Sequence, residues 1–157
     1  MKCEIIKENH MQTAEEKFSI DLTFRHDSPD PKSISHALSR HPDLEWKAGE
    51  PFLDRLKNMT CWRGNLAFGS GAIALHEAMD KVLSILAQQR DFFLHFKASG
   101  GEVEITLKRV ADTADILDSK DGEEDRTEIK LFEMEFNPEF LKSLSDLKIA
   151  LRFELWT

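Results

Sequence analysis

The stretch Leu44–Phe68, LEWKAGEPFLDRLKNMTCWRGNLAF, decides how this chain is read. Leu44, Trp46 and Ala48 alternate with Glu45 and Lys47, the period of two expected of a strand with one apolar face. Gly49, Glu50 and Pro51 supply turn chemistry and end that strand. A loop follows over Phe52–Met59. Thr60–Phe68 then reads as a second strand, with Trp62, Leu66 and Phe68 on one face and Arg63 and Asn65 on the other. Gly64 inside it signals a bulge or a close backbone approach. Two sheet strands joined by a Gly-Pro loop result, and the rest of the chain is arranged around them.

Toward the N-terminus, Phe18, Ile20, Leu22 and Phe24 alternate with Ser19, Asp21, Thr23 and Arg25, the clearest strand pattern in the sequence. Asp30 is placed as an N-cap and Pro31 at the first helical position, where a missing N–H costs nothing. Ile34, Ala37 and Leu38 give that short helix its apolar stripe. Toward the C-terminus, Ser70 is expected to cap the main helix, in which Leu75, Met79, Val82 and Leu86 recur at helical spacing. Asp91–Ser99 fits either periodicity, and a helix stopped by Gly100 is the favoured reading. Val103, Ile105 and Leu107 mark a strand, as do Phe132, Met134 and Phe136; Asn137 and Pro138 open a last helix carrying Phe140, Leu141 and Leu144; and Ile149, Leu151, Phe153 and Leu155 line a final strand.

This order predicts an α+β fold: a ferredoxin-like β-α-β-β-α-β unit, mainly antiparallel, extended by a C-terminal β-α-β element, with helices on one face. Residues 1–17 are expected to be a flexible N-terminal arm and 18–157 a single domain, in which Ala111–Glu128 forms an acidic loop.

Composition narrows the function. The 157 residues suffice for one core, hydrophobic residues make up 41% and charged residues 32%, an ordinary globular balance. Tyrosine is absent, which removes tyrosine chemistry, and the net charge of −8 repels phosphate backbones and anionic bilayers. Neither nucleic acid nor a membrane is therefore expected as a partner, and no run approaches the roughly twenty apolar residues of a membrane span. Cys3 and Cys61 are the only cysteines, without metal-ligand spacing, so reduced thiols, a cytoplasmic location and no metal or other cofactor are expected.

Three groups of residues are candidates for function. Trp46, Lys47, Gly49, Glu50 and Trp62 either line a shared pocket, with Lys47 and Glu50 as its polar contacts, or divide between core packing and a turn. Gly69-Ser70-Gly71 before a helix lacks the lysine and spacing of a phosphate loop and reads as turn and cap. Ala111–Glu128 holds eight Asp or Glu against Lys120 and Arg126. Within it Asp112, Asp115, Asp118, Asp121, Glu123, Glu124 and Asp125 form a surface suited to attracting a basic protein, or a solvated loop that only aids solubility. Cys61 lacks a nucleophile motif and the histidines lack a second ligand at metal spacing.

FSIDLTFRH, DPKSISHALSRHPDLEWKAGE, the later Trp62, ASGGEVEITLKRV and the ending EFLKSLSDLKIALRFELW together resemble the bacterial domain-of-unknown-function family 4279, over roughly Phe18–Trp156. Pro42, Trp46, Lys47, Gly49 and Glu50 are the most specific part of the match. Trp156, where such domains tend to have Tyr, and the acidic stretch depart from it. The resemblance implies no chemistry, but small proteins of this type resemble components of bacterial toxin-immunity neighbourhoods. With the acidic charge, it leads to the expectation of a non-enzymatic immunity-type or regulatory module that binds a basic protein; a small-ligand-binding domain or enzyme centred on Trp46, Lys47, Glu50 and Trp62 is the alternative.

Overall fold

The computed structural model describes residues 17–52, 55–110 and 136–156. Its elements are β1 (Lys17–His26), α1 (Pro31–Leu38), β2 (Leu44–Trp46), β3 (Pro51–Phe52), β4 (Arg55–Leu56), β5 (Thr60–Ser70), α2 (Ala72–Gln88), α3 (Arg90–Ala98), β6 (Glu102–Val110), α4 (Pro138–Asp146) and β7 (Ala150–Trp156). The fold is α+β. Five strands form one sheet in the order β2-β5-β1-β6-β7, while β3 and β4 pair as a separate small hairpin inside the loop expected over Phe52–Met59.

The central strand β1 runs antiparallel to both β5 and β6, and β2 runs antiparallel to β5. The closing strand β7 joins β6 in parallel, so the sheet is mixed. Its strand order differs from that of the ferredoxin-like unit expected. Most of the strand expected over Phe132–Phe136, and all of the loop at 111–128, lie outside the described residues, as does nearly all of the arm at 1–17.

Local chemistry starts the helices where the sequence places them. Asp30 Oδ1 accepts the Lys32 N–H at 2.9 Å ahead of Pro31, and Asn137 Oδ1 accepts the Glu139 N–H at 2.9 Å ahead of Pro138. Each pair of residues satisfies an orphan donor of the first turn and fixes a helical φ. Within Asp91–Ser99 the chain is helical as far as Ala98, and Gly100, at φ +94°, takes the left-handed conformation beyond the Ser99 cap, with its N–H on the Lys97 carbonyl. The expected Ser70 cap is not formed: β5 continues through Ser70, and Gly71 at φ +84° makes the corner without a side-chain cap.

One core lies between the sheet and the four helices. Phe18, Ile20, Leu22 and Phe24 of β1 and Val103, Ile105 and Leu107 of β6 meet Ile34 of α1, Met79, Val82 and Leu86 of α2, Phe93 and Phe96 of α3, and Phe140 and Leu144 of α4. Phe24 is its centre, edge-on to Trp62 at 5.7 Å and to Phe96 at 5.0 Å and stacked on Phe93 at 5.6 Å. Burial of each such side chain contributes about 1.5–3 kcal/mol, and the edge-to-face pairs add to it.

Phe68 departs from its expected face. It is 71% exposed, whereas Trp62 and Leu66 are buried. The pairing of β1 with β5 slips between Ile20 and Asp21, whose partners are Ala67 and Asn65, leaving Leu66 as an extra residue. Such a bulge reverses the alternation beyond it, so Phe68 pairs with Ser19 on the face turned away from Phe18 and Ile20.

Candidate functional site

Trp46 and Trp62, candidates either for a shared pocket or for core packing and a turn, sit at neighbouring register positions and face opposite ways. Trp46 pairs with Cys61 and Glu45 with Trp62. Because successive side chains of a strand alternate between faces, Trp62 enters the core while Trp46 stays at the sheet edge. Trp62 is 0% exposed, and its indole N–H donates to Ser35 Oγ at 2.9 Å. It fills the core and cannot line a ligand pocket with Trp46.

Trp46 is half-buried and held in place. Its indole N–H donates to the Met59 carbonyl at 2.9 Å, and Lys57 Nζ lies 4.1 Å from the ring centroid. The turn that follows is clamped to the far end of the hairpin: Gly49 N–H donates to Lys57 O at 2.9 Å, and Lys57 N–H donates to Glu50 O at 3.0 Å. Gly49, at φ +86°, serves this turn in a conformation that L side chains rarely adopt.

Between the turn and the start of α1 lies a cleft of about 320 Å³. Trp46, Lys47, Glu50 and Glu45 line it from β2 and the turn, and Asp30, Pro31 and Lys32 from α1. Three of the five candidate residues, Trp46, Lys47 and Glu50, thus line one cleft, while Gly49 and Trp62 do not. Sequence reading missed the α1 contribution, since nothing in the pattern says that the Asp30-Pro31 cap stands beside β2.

The face of the sheet opposite the described helices carries a polar network. Asp21 accepts hydrogen bonds from Lys108, from Asn65 at 3.0 Å and from Ser19 at 3.1 Å. Burial pushes its carboxyl up, but the hydrogen bonds from Lys108 and Asn65, the Lys108 charge and the Ser19 hydroxyl together hold it below its ordinary value. Glu104 is buried between Arg25 at 3.6 Å and Arg152 at 3.2 Å. Such pairs repay the cost of burying charge only where their geometry is good, so removing one partner is the costly change.

Arg25, Lys57 and Arg63 converge on Cys61 from β1, the hairpin and β5. These charges favour the thiolate, but burial outweighs them and pushes the Cys61 thiol up. Cys61 is therefore a buried, protonated thiol and a poor nucleophile. The convergence of three cations was not visible in a sequence read as lacking a local basic patch, because it depends on the β1–β5 register.

A serine–histidine contact also escaped the sequence reading. His26 Nε2 lies 3.1 Å from Ser99 Oγ and 2.9 Å from the Ser99 carbonyl. The carbonyl can only accept, so Nε2 carries the proton, and Nδ1 accepts the Ser28 N–H at 3.1 Å. Ser99 Oγ donates to Phe96 O at 2.8 Å. With both imidazole nitrogens engaged in this sense, His26 is not placed to activate Ser99 as a base; it ties the end of β1 to the end of α3.

The acidic residues Asp112, Asp115, Asp118, Asp121, Glu123, Glu124 and Asp125 lie outside the described residues. Among the described residues no group of three His, Cys, Asp or Glu is arranged to hold a metal ion, and no helix is long and apolar enough to cross a membrane. Comparison with known proteins finds no matching family model, no similar curated protein and no similar solved structure.

Proposed function

We propose that the protein is a non-enzymatic binding module, of immunity or regulatory type, whose partner is a basic protein. The observation that carries this reading is the distribution of charge: the chain bears −8, and eight acidic residues against two basic ones fall between Ala111 and Glu128. A field of that sign accelerates encounter with a cationic surface and weakens as salt is added. The reactive groups of the described residues support binding over catalysis, since Cys61 is a buried protonated thiol and the Ser99–His26 contact is wired as a structural tie. The ferredoxin-like description belongs to the same proposal, supported by the antiparallel set β2-β5-β1-β6, as do membership of family 4279 and a cytoplasmic location.

The test is a pull-down from a native lysate with the wild-type protein and with a variant whose Asp and Glu between Asp112 and Asp125 are changed to Asn and Gln. A partner held by the wild type, released by salt and lost in the variant is the expected result. No partner, or equal retention by the variant, sinks the proposal.

The cleft beside Trp46 favours a second reading, a small-ligand site. There the aromatic wall is fixed by the Trp46–Met59 hydrogen bond, and the volume lies at the lower end of the range for small-molecule pockets.

A further inference from the structure

We infer that the outer edge of β7 takes β7 of a second copy of the chain, antiparallel and with Phe153 opposite Phe153, so that two sheets become one. This contact is separate from the binding of a basic partner and from the cleft beside Trp46.

The two ends of the sheet are protected to different degrees. An edge strand offers a row of backbone donors and acceptors to another strand, and proteins ordinarily blunt it by shortness, proline, lysine or a bulge. At one end β2 is three residues long and leads into Gly49 and Pro51. At the other, β7 (ALRFELW) is seven residues long, holds no glycine, proline or lysine, and follows β6 from Glu104–Ala150 to Val110–Trp156 without a slip in register. Among the described residues no strand pairs with its outer edge.

The charges on β7 select both the occupant and the register. Arg152 and Glu154 pair with Thr106 and Lys108 and share their face, whereas Phe153 pairs with the core residue Leu107 and stands on the helix-covered face. Antiparallel pairing of a strand with its own copy sets the residues on either side of the twofold axis against each other. Centred on Arg152 or on Glu154, it places like charges directly opposite, which is destabilising. Centred on Phe153, it places Arg152 against the partner's Glu154, twice. Phe153 is also the midpoint of Ala150–Trp156, so the register that matches the charges is the one that pairs the whole strand. Arg152 is already drawn to its face by Glu104 at 3.2 Å. Phe153 touches Phe136 at 5.6 Å yet is 54% exposed, and at the axis it meets the partner's Phe153, which buries apolar surface that one copy leaves in water. A strand bearing one charge of each sign fits its own copy better than a uniformly basic surface.

Sedimentation velocity over a range of protein concentrations tests this. The net charge of −8 on each copy resists approach, so moderate salt is used, which screens that long-range repulsion more than it screens contact pairs. The wild type is expected to pass from one chain to two as concentration rises. Arg152→Glu and Glu154→Arg each leave charges of a single sign on the strand, and each variant alone should associate about tenfold more weakly, the scale of reversing two cross-strand pairs. Glu154→Arg keeps the Arg152–Glu104 pair, and circular dichroism checks that both variants are folded. Mixed in equal amounts, the two variants present opposite signs at both pairs, and the mixture should regain wild-type association. A wild type that stays a single chain at every concentration would overturn the proposal. So would a dimer that neither variant weakens, or a mixture that associates no better than its components.

Discussion

The two faces of one sheet, seen at Trp46 and Trp62, are built on different physics. The helix-covered face around Trp62 is a dry aromatic core in which Phe24, Phe93, Phe96 and Trp62 interlock. The face opposite the described helices is held by charge and hydrogen bonds, with Asp21 and Glu104 buried yet partnered by Lys108, Arg25 and Arg152. Adjacent register positions on β2 and β5 thus send two tryptophans to opposite fates. The difference teaches where function can reside: a residue that the core needs for packing is not free to serve a ligand, whereas one fixed at the rim is.

Trp62→Ala should have the largest effect. The cavity it leaves is surrounded by side chains already packed, and Ser35 loses its partner, so a loss of about 3–5 kcal/mol is expected in urea unfolding. A loss under about 1 kcal/mol would mean that this face is not the closed core described.

Lys108→Met probes the opposite face. It leaves the buried Asp21 carboxylate without its cation, and removing one partner of such a pair costs about 3 kcal/mol. Asp21→Asn tests the same pair through pH. Its carboxyl is held below the ordinary value, so its contribution is present above the unfolded value of about 3.9 and is lost as pH falls through the lower folded value. The wild type should therefore lose stability on acidification below about pH 4 more steeply than Asp21→Asn. Parallel curves would show that the Asp21 network is only nominally coupled to folding.

Gly64→Ala sharpens the contrast from within β5. A Cβ there would lie 2.6 Å from Cη2 of Trp62, a buried ring with nowhere to move. Overpacking of this kind costs about 1–3 kcal/mol. The double change Gly64→Ala with Trp62→Leu should cost less than the sum of the two, because the clash disappears with the indole.

Much of this was legible in the sequence, for identifiable reasons. The alternation from Phe18 to Phe24 and the Asp30-Pro31 and Asn137-Pro138 caps are local signals that tertiary structure had no cause to override, and Gly100 decided Asp91–Ser99 as a helix stop. Phe68 was misread because the bulge at Leu66 is a property of the β1–β5 pair and not of either strand alone. The shared pocket of Trp46 and Trp62 failed likewise: residues on neighbouring strands meet on one face only if their register puts them there, and register is not written in either segment. The cleft was half legible, through Trp46, Lys47 and Glu50; its other wall comes from α1, whose approach to β2 is a matter of packing.

Trp46→Phe should have the smallest effect on stability, and that is what makes it informative. The change removes the hydrogen bond to Met59 O and weakens the Lys57 contact. Both are partly exposed, so the cost should be about 1 kcal/mol or less. If the rim is a binding surface, the same change should remove small-ligand binding while the unfolding midpoint hardly moves, the reverse of the pattern expected for Trp62. A large loss of stability would instead make Trp46 a structural brace between β2 and the β3–β4 hairpin, and the distinction between the two faces would then be one of packing density and not of function.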